Sequence, residues 1–144
     1  MEIRELLKQL GHTLGLELYI SPEGVCRIYF DSDAVDFELA EQGLFLIAEL
    51  GYLPARNCDR FCRELLSANL LGAETAGATL GLDSAKDELI LHKNLGSSLD
   101  YHEFEAELEN FVKALRHWKS RILAQTLQSE GGETHFISEY SVRV

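Results

Sequence analysis

Cys58 and Cys62 stand one helical turn apart, and two thiolates at that spacing could hold a metal ion or act as nucleophiles. Zinc asks for about four ligands, however, and no histidine stands at a known spacing from the pair, so packing in a core or an interface is the stronger reading. The five histidines, His12, His92, His102, His117 and His135, are scattered over different segments, and none is joined to a cysteine or serine in a nucleophile pattern. Gly72, Gly77 and Gly81 make a glycine-rich stretch that contains no lysine and opens no helix, so sharp turns explain it better than a phosphate cradle. Asp31 and Asp33 resemble a metal-binding acidic pair, but two carboxylates in a turn are ordinarily just solvated. The expectation is therefore no enzyme, no catalytic set, no metal and no cofactor.

The elements around these residues are more informative. Ile3, Leu6, Leu7, Leu10 and Leu14 recur three or four apart among charges, which predicts a short amphipathic helix ending near Gly11 or Gly15. Leu16, Leu18 and Ile20 then alternate with Glu17 and Tyr19, and Ser21-Pro22-Glu23-Gly24 is turn chemistry, so residues 16–20 and 25–30 are expected to pair as a hairpin. Residues 34–39 and 44–50 extend this to a meander before Gly51-Tyr52-Leu53-Pro54 breaks it. Asn57 can cap a second helix over residues 58–71, with Phe61, Cys62, Leu65, Leu66 and Asn69 on one side and Gly72 as its left-handed end. Residues 77–82 and 87–93 read as a second hairpin.

The third helix carries the strongest local signal. Asp100 and Glu103 form a capping-box pair, and Leu99 with Phe104 occupy the positions of a hydrophobic staple. Tyr101, Phe104, Leu108, Phe111, Leu115, Trp118 and Ile122 make a long apolar stripe, with acidic residues leading and basic ones trailing, as the helix dipole favours. Residues 128–134 read as a polar linker, and Phe136, Tyr140, Val142 and Val144 alternate weakly. The fold expected is α+β, one antiparallel sheet with three helices in the order α-β-β-β-β-α-β-β-α. A single domain over residues 1–125 is followed by a tail, 126–144, either flexible or docked as a strand.

With 144 residues, one domain fills the chain, and about 70% of its unfolded surface should be buried on folding. A net charge of −11, from 24 acidic against 13 basic side chains, disfavours nucleic acid and anionic membrane as partners. The first 25 residues hold no uninterrupted apolar run, so no leader or spanning helix is expected. Three cysteines, an odd count, suit reduced thiols in a cytoplasm. Amphipathic helices at both ends and a sheet with apolar residues on each face leave more apolar surface than one small layer pair covers, and binding is its natural use.

The run Leu65-Leu66-Ser67-Ala68-Asn69-Leu70-Leu71-Gly72, followed by Thr75-Ala76-Gly77-Ala78-Thr79-Leu80-Gly81-Leu82-Asp83, resembles the signature of the CesT (Tir chaperone) family of type III secretion chaperones. Residues 6–18, the segment Gly24-Val25-Cys26 to Phe30-Asp31, Leu50-Gly51-Tyr52-Leu53-Pro54, and the third helix with Phe104, Leu108, Phe111, Val112 and Trp118 resemble family features in family order. The resemblance spans about residues 3–125, and the tail departs from it.

The resemblance implies a class I effector chaperone of a Gram-negative bacterium. It would be a cytoplasmic homodimer that holds the N-terminal chaperone-binding segment of a secreted effector soluble, partly unfolded and ready for secretion. It implies a dimer interface built on Phe61, Leu65, Leu66, Asn69, Leu80, Leu82, Leu89 and Leu91. Leu7, Leu10, Leu14, Leu18, Val25, Tyr29 and Leu46 are the candidates for an effector groove, with ordinary core as the alternative for each. The secretion ATPase stands as a further candidate partner. Two other readings remain open: a chaperone-like regulator that sequesters a secretion regulatory protein, and a small thiol or metal enzyme using Cys58 and Cys62.

Overall fold

A computed structural model describes the backbone of residues 2–143 and the side chains of residues 2–129. The elements follow in the order α1 (Ile3–Leu14), β1 (Val25–Phe30), β2 (Asp33–Ala40), β3 (Gly43–Tyr52), α2 (Cys58–Asn69), a turn of tighter helix (Leu70–Gly72), β4 (Thr79–Asp83), β5 (Glu88–Asn94) and α3 (Tyr101–Arg143). The strands form one sheet in the order β1-β2-β3-β5-β4, with every neighbouring pair antiparallel. This is the expected α+β architecture, with five strands instead of six.

The period of two in the strands separates the two faces of the sheet. Cys26, Ile28, Val35, Phe37, Leu44, Leu46, Ala48, Leu80, Leu89 and Leu91 are buried on one face. Leu6, Leu7 and Leu10 of α1, Phe61, Leu65 and Ala68 of α2, and Phe104, Leu108, Phe111, Leu115, Trp118 and Ile122 of α3 complete the same core. On the opposite face Val25, Tyr29, Phe45, Ile47, Ile90 and His92 are half-buried or exposed, so among the described residues that side of the sheet has no comparable cover.

Local chemistry explains where the elements begin and end. The capping box forms as expected: the Glu103 N–H donates to Asp100 Oδ1 at 2.8 Å, and Glu103 Oε2 accepts from the Asp100 N–H at 3.0 Å. At the start of β3, a Cβ on Gly43 would lie 2.6 Å from the backbone of Gly96, so only glycine lets these two segments close together. Gly72 plays the same part after α2, where it approaches Gly77 at φ 67°. Asp33, at the first residue of β2, anchors that hairpin to α3 through Lys119 at 2.9 Å and Arg116 at 3.0 Å.

Four local expectations are corrected. Residues 16–20 are not a strand. The Leu16 N–H donates to the Gly11 carbonyl at 2.8 Å, and Leu18 lies directly over Gly11, so the alternation of Leu18 and Ile20 records packing beside α1 and not a ladder. Asn57 precedes α2 but makes no side-chain cap, because its backbone is left-handed at φ 55° where capping requires an extended conformation. The regular turns of α2 stop at Asn69, and Leu71 kinks the chain with φ 56°. Residues 126–143 are neither linker nor strand: α3 runs through Arg143. Phe136 and Tyr140 are spaced four apart, which fits a helix as well as the alternation fits a strand. Val144 lies outside the described residues.

Candidate functional site

The segment 16–20 is the common wall of two apolar clefts. One, of about 760 Å³, lies between this segment and β1 and is lined by Leu16, Leu18, Tyr19, Val25, Ile28 and Tyr29 with Glu17, Ser21, Arg27 and Asp36. The other, of about 600 Å³, lies between the segment and α1, where Leu7, Gly11, Leu16, Leu18 and Ile20 form the floor and Arg4, Glu5, Lys8, Gln9, His12 and Glu17 the rim. Leu14, Leu16, Tyr19 and Tyr29 are exposed by 41%, 49%, 75% and 62%, a concentration of apolar surface on one end of the molecule.

The first cleft runs along an open sheet edge. β1 pairs with β2 alone, and the Leu39 N–H donating to the Gly24 carbonyl sets the phase of that ladder. Residues 26, 28 and 30 therefore turn their backbone groups toward β2, and residues 25, 27 and 29 turn theirs outward. Ser21 satisfies Val25, its N–H donating to the Val25 carbonyl and its Oγ accepting from the Val25 N–H. Arg27 and Tyr29 are left with outward-facing N–H and C=O groups, the template on which an extended chain pairs. Asp36 grips the Arg27 guanidinium through two bonds of 2.7 and 2.8 Å and holds it charged, which fixes this side chain across the open sheet face.

The far edge of the sheet is occupied at one residue. β4 pairs with β5 on one side, and on the other the Asn69 side chain occupies both backbone groups of Leu80. Around this plug, Leu66 (71% exposed), Leu70 (69%), Leu71 (96%) and Leu82 (47%) form a second apolar patch.

The expected groove residues divide. Leu18, Val25 and Tyr29 line the first cleft, and Leu14, exposed at the end of α1, lines neither, whereas Leu10 and Leu46 are buried in the core, and Leu7, equally buried, only floors the second cleft. Among the expected interface residues, Leu66, Leu82 and the half-buried Asn69 are accessible. Phe61, Leu65, Leu80, Leu89 and Leu91 are interior to the chain's own fold. Leu16, Tyr19, Leu70 and Leu71 are exposed here but are not among the groove and interface residues expected from sequence. The doublet Leu65-Leu66 carries a usable signal, since adjacent helix positions point about 100° apart and one leucine of a doublet faces outward when the other is buried, whereas Leu70 and Leu71 lie beyond the regular helix and are both exposed.

Among the described residues no group of three or more His, Cys, Asp or Glu side chains is placed to hold a metal ion. Burial and then the Asp36 charge push the Cys26 thiol up, and burial, Cys58 and Asp59 push the Cys62 thiol up. No described helix is long and apolar enough to cross a membrane. The arrangement suits the holding of an extended or amphipathic polypeptide.

Residues 5–119 match the family model described as Tir chaperone protein (CesT) family. A Chlamydia pneumoniae protein, CPj0713/CpB0740, is 29% identical over 82 residues, which are 56% of this chain and 62% of that protein, so the match spans less than two thirds of the relative's length. The fold is similar to a chain of the ExsC-ExsE complex, with a TM-score of 0.70 and 22% identity over 85% of this chain and 97% of that one. It is also similar to a chain of the HopA1-SchA chaperone-effector complex, with a TM-score of 0.67 and 21% identity over 81% and 92% of the two chains.

Proposed function

The chain belongs to the Tir chaperone protein (CesT) family, and from that premise we propose that it is a type III secretion chaperone for the N-terminal chaperone-binding segment of a secreted effector. The observation that carries this reading is the open backbone edge at Arg27 and Tyr29, set beside a cleft walled by Leu16, Leu18 and Tyr19. An extended segment that pairs with β1 gains backbone hydrogen bonds, and its apolar side chains enter the cleft, where selection takes place. Ordering a disordered segment costs about 2–5 kcal/mol or more, so a long apolar contact is needed to offset it. The bound segment is held extended and kept from collapsing or aggregating, and the work is binding throughout.

The protein works as a cytoplasmic homodimer in this proposal. Leu66, Leu70, Leu71 and Leu82 meet their counterparts in a second copy, and the effector surfaces stay free at the opposite end of each sheet. Two subunits of −11 each give −22, which keeps a protein with exposed apolar clefts soluble. The secretion ATPase is the partner to which the loaded chaperone would deliver its cargo.

Affinity capture from the cytosol of its own bacterium, with mass spectrometry and light scattering of the purified complex, tests the proposal. The expected result is a dimer of this chain with one secreted protein, held through that protein's N-terminal region and released by acidic substitutions at Leu16 and Tyr29. A non-secreted regulatory protein as the stable partner would transfer the assignment to sequestration of a regulator. Failure to bind a co-encoded effector would overturn the chaperone reading.

A further inference from the structure

We propose that Cys58 and Cys62 form a two-coordinate thiolate site for a soft monovalent metal ion, of which copper(I) is the type. Both thiols are free, both are partly accessible, and they stand one turn apart on α2. Side chains at this spacing have Cβ atoms about 5–6 Å apart. A disulfide needs about 3.5–4.5 Å, so the pair stays as two thiols while the helix is intact. Two metal–thiolate bonds of about 2.3 Å each, arranged in a line, bridge a gap of this size, and thiolate sulfur is the ligand that copper(I) selects.

The surroundings restrict the choice of ion. Among the described residues no third His, Cys, Asp or Glu joins the pair in a group able to hold a metal, so a tetrahedral zinc site lacks its ligands and a linear ion needs no more than these two. Cys58 opens α2, and the Asn57 side chain makes no cap, so the positive end of the helix offsets the charge of a bis-thiolate. Burial first, then Cys58 and Asp59, oppose it by favouring the protonated Cys62 thiol. Cys26 is buried in the sheet core and serves as an internal control.

Binding is an exchange. Each cysteine gives its S–H proton to solvent, two metal–sulfur bonds form, two protons leave for each ion, and no electron is transferred. The site carries one net negative charge when loaded, and uptake strengthens as pH rises.

The experiment is anaerobic titration of the reduced full chain with the copper(I)–bicinchoninate complex, followed by loss of that complex's visible absorbance. One ion is expected per chain, with more withdrawn at pH 8 than at pH 6. Cys58→Ser and Cys62→Ser each abolish withdrawal, and Cys26→Ser preserves it, all with unchanged circular dichroism. No withdrawal by the native chain, withdrawal that survives the double Cys58→Ser, Cys62→Ser variant, or half an ion per chain from sharing between two copies would each overturn the proposal.

Discussion

The side-chain amide of Asn69 holds the backbone of Leu80 at both of its polar groups, Nδ2 donating to the Leu80 carbonyl at 2.8 Å and Oδ1 accepting from the Leu80 N–H at 2.7 Å. An asparagine on a helix thus stands in for a sixth strand at the edge of β4. On the opposite edge, β1, the outward groups at Arg27 and Tyr29 have no partner among the described residues. Each edge of the sheet therefore has one residue satisfied by a side chain or a turn, Leu80 by Asn69 and Val25 by Ser21, and the longer run of outward groups lies on β1 at Arg27 and Tyr29.

Asn69→Ala removes both bonds and leaves the Leu80 groups half-buried. A loss of about 1–3 kcal/mol is expected for stranded backbone groups, read as a lower urea midpoint with an unchanged slope. The freed Leu80 groups lengthen the exposed edge of β4 and should also raise the apparent mass in light scattering at high concentration. An unchanged midpoint would mean that water replaces the amide at no cost.

The cleft separates binding from stability. Leu16 and Tyr29 are exposed, so Leu16→Asp with Tyr29→Asp should leave the unfolding midpoint nearly unchanged and weaken effector binding by at least about tenfold, the equivalent of about 1.4 kcal/mol. Leu10→Ala should do the reverse. Leu10 is 3% exposed, and truncating a core leucine costs about 2–5 kcal/mol without removing a cleft contact. Calorimetric titration with the effector segment, beside urea unfolding, distinguishes the two outcomes.

These residues also mark how far the sequence could be read. The strands and the capped start of α3 were legible because alternation and the Asp100–Glu103 pair are local signals that the fold uses directly. Residues 16–20 carried the same alternation and became no strand, since Gly11 gives Leu18 a seat on α1 and the period alone does not say which neighbour an apolar side chain will meet. The apolar face of α1 was plain, but its division into buried Leu7 and Leu10 and exposed Leu14 depends on how far α3 and the sheet extend over it. Asn69 was placed in an interface by resemblance. Its grip on Leu80 joins residues 11 apart through a turn that sequence patterning does not specify. The outward leucines at 70 and 71 follow from the kink after Asn69, which has no signature beyond Gly72.

Asp33 gives the stability a dependence on pH. Lys119 and then Arg116, acting against burial, hold its carboxyl below the usual value of 3.8. The unfolded chain therefore binds this proton more readily than the folded one, and the contribution is present in full above the unfolded value. It is lost as pH falls through 3.8 toward the lower folded value. Asp33→Asn should lower stability at pH 7 and flatten the fall of the unfolding midpoint below pH 4. A variant with the native slope in that range would assign the acid sensitivity to other carboxylates.

Leu71 joins strain to exposure. It is 96% exposed, and its backbone is left-handed at φ 56°, a conformation that costs a residue with a side chain roughly 1–2 kcal/mol relative to the right-handed region. A leucine held there at a cost, with Leu66 and Leu70 beside it, needs a compensating contact, and a second copy supplies one in the proposed dimer. Leu71→Asp should move the light-scattering mass from twice 16.2 kDa to 16.2 kDa. Leu71→Gly, which relieves the strain and also removes the side chain, should stabilise the isolated subunit by about 1 kcal/mol and weaken the dimer. If both variants remain dimeric, the subunits meet elsewhere, and the exposed leucines must be covered by another partner.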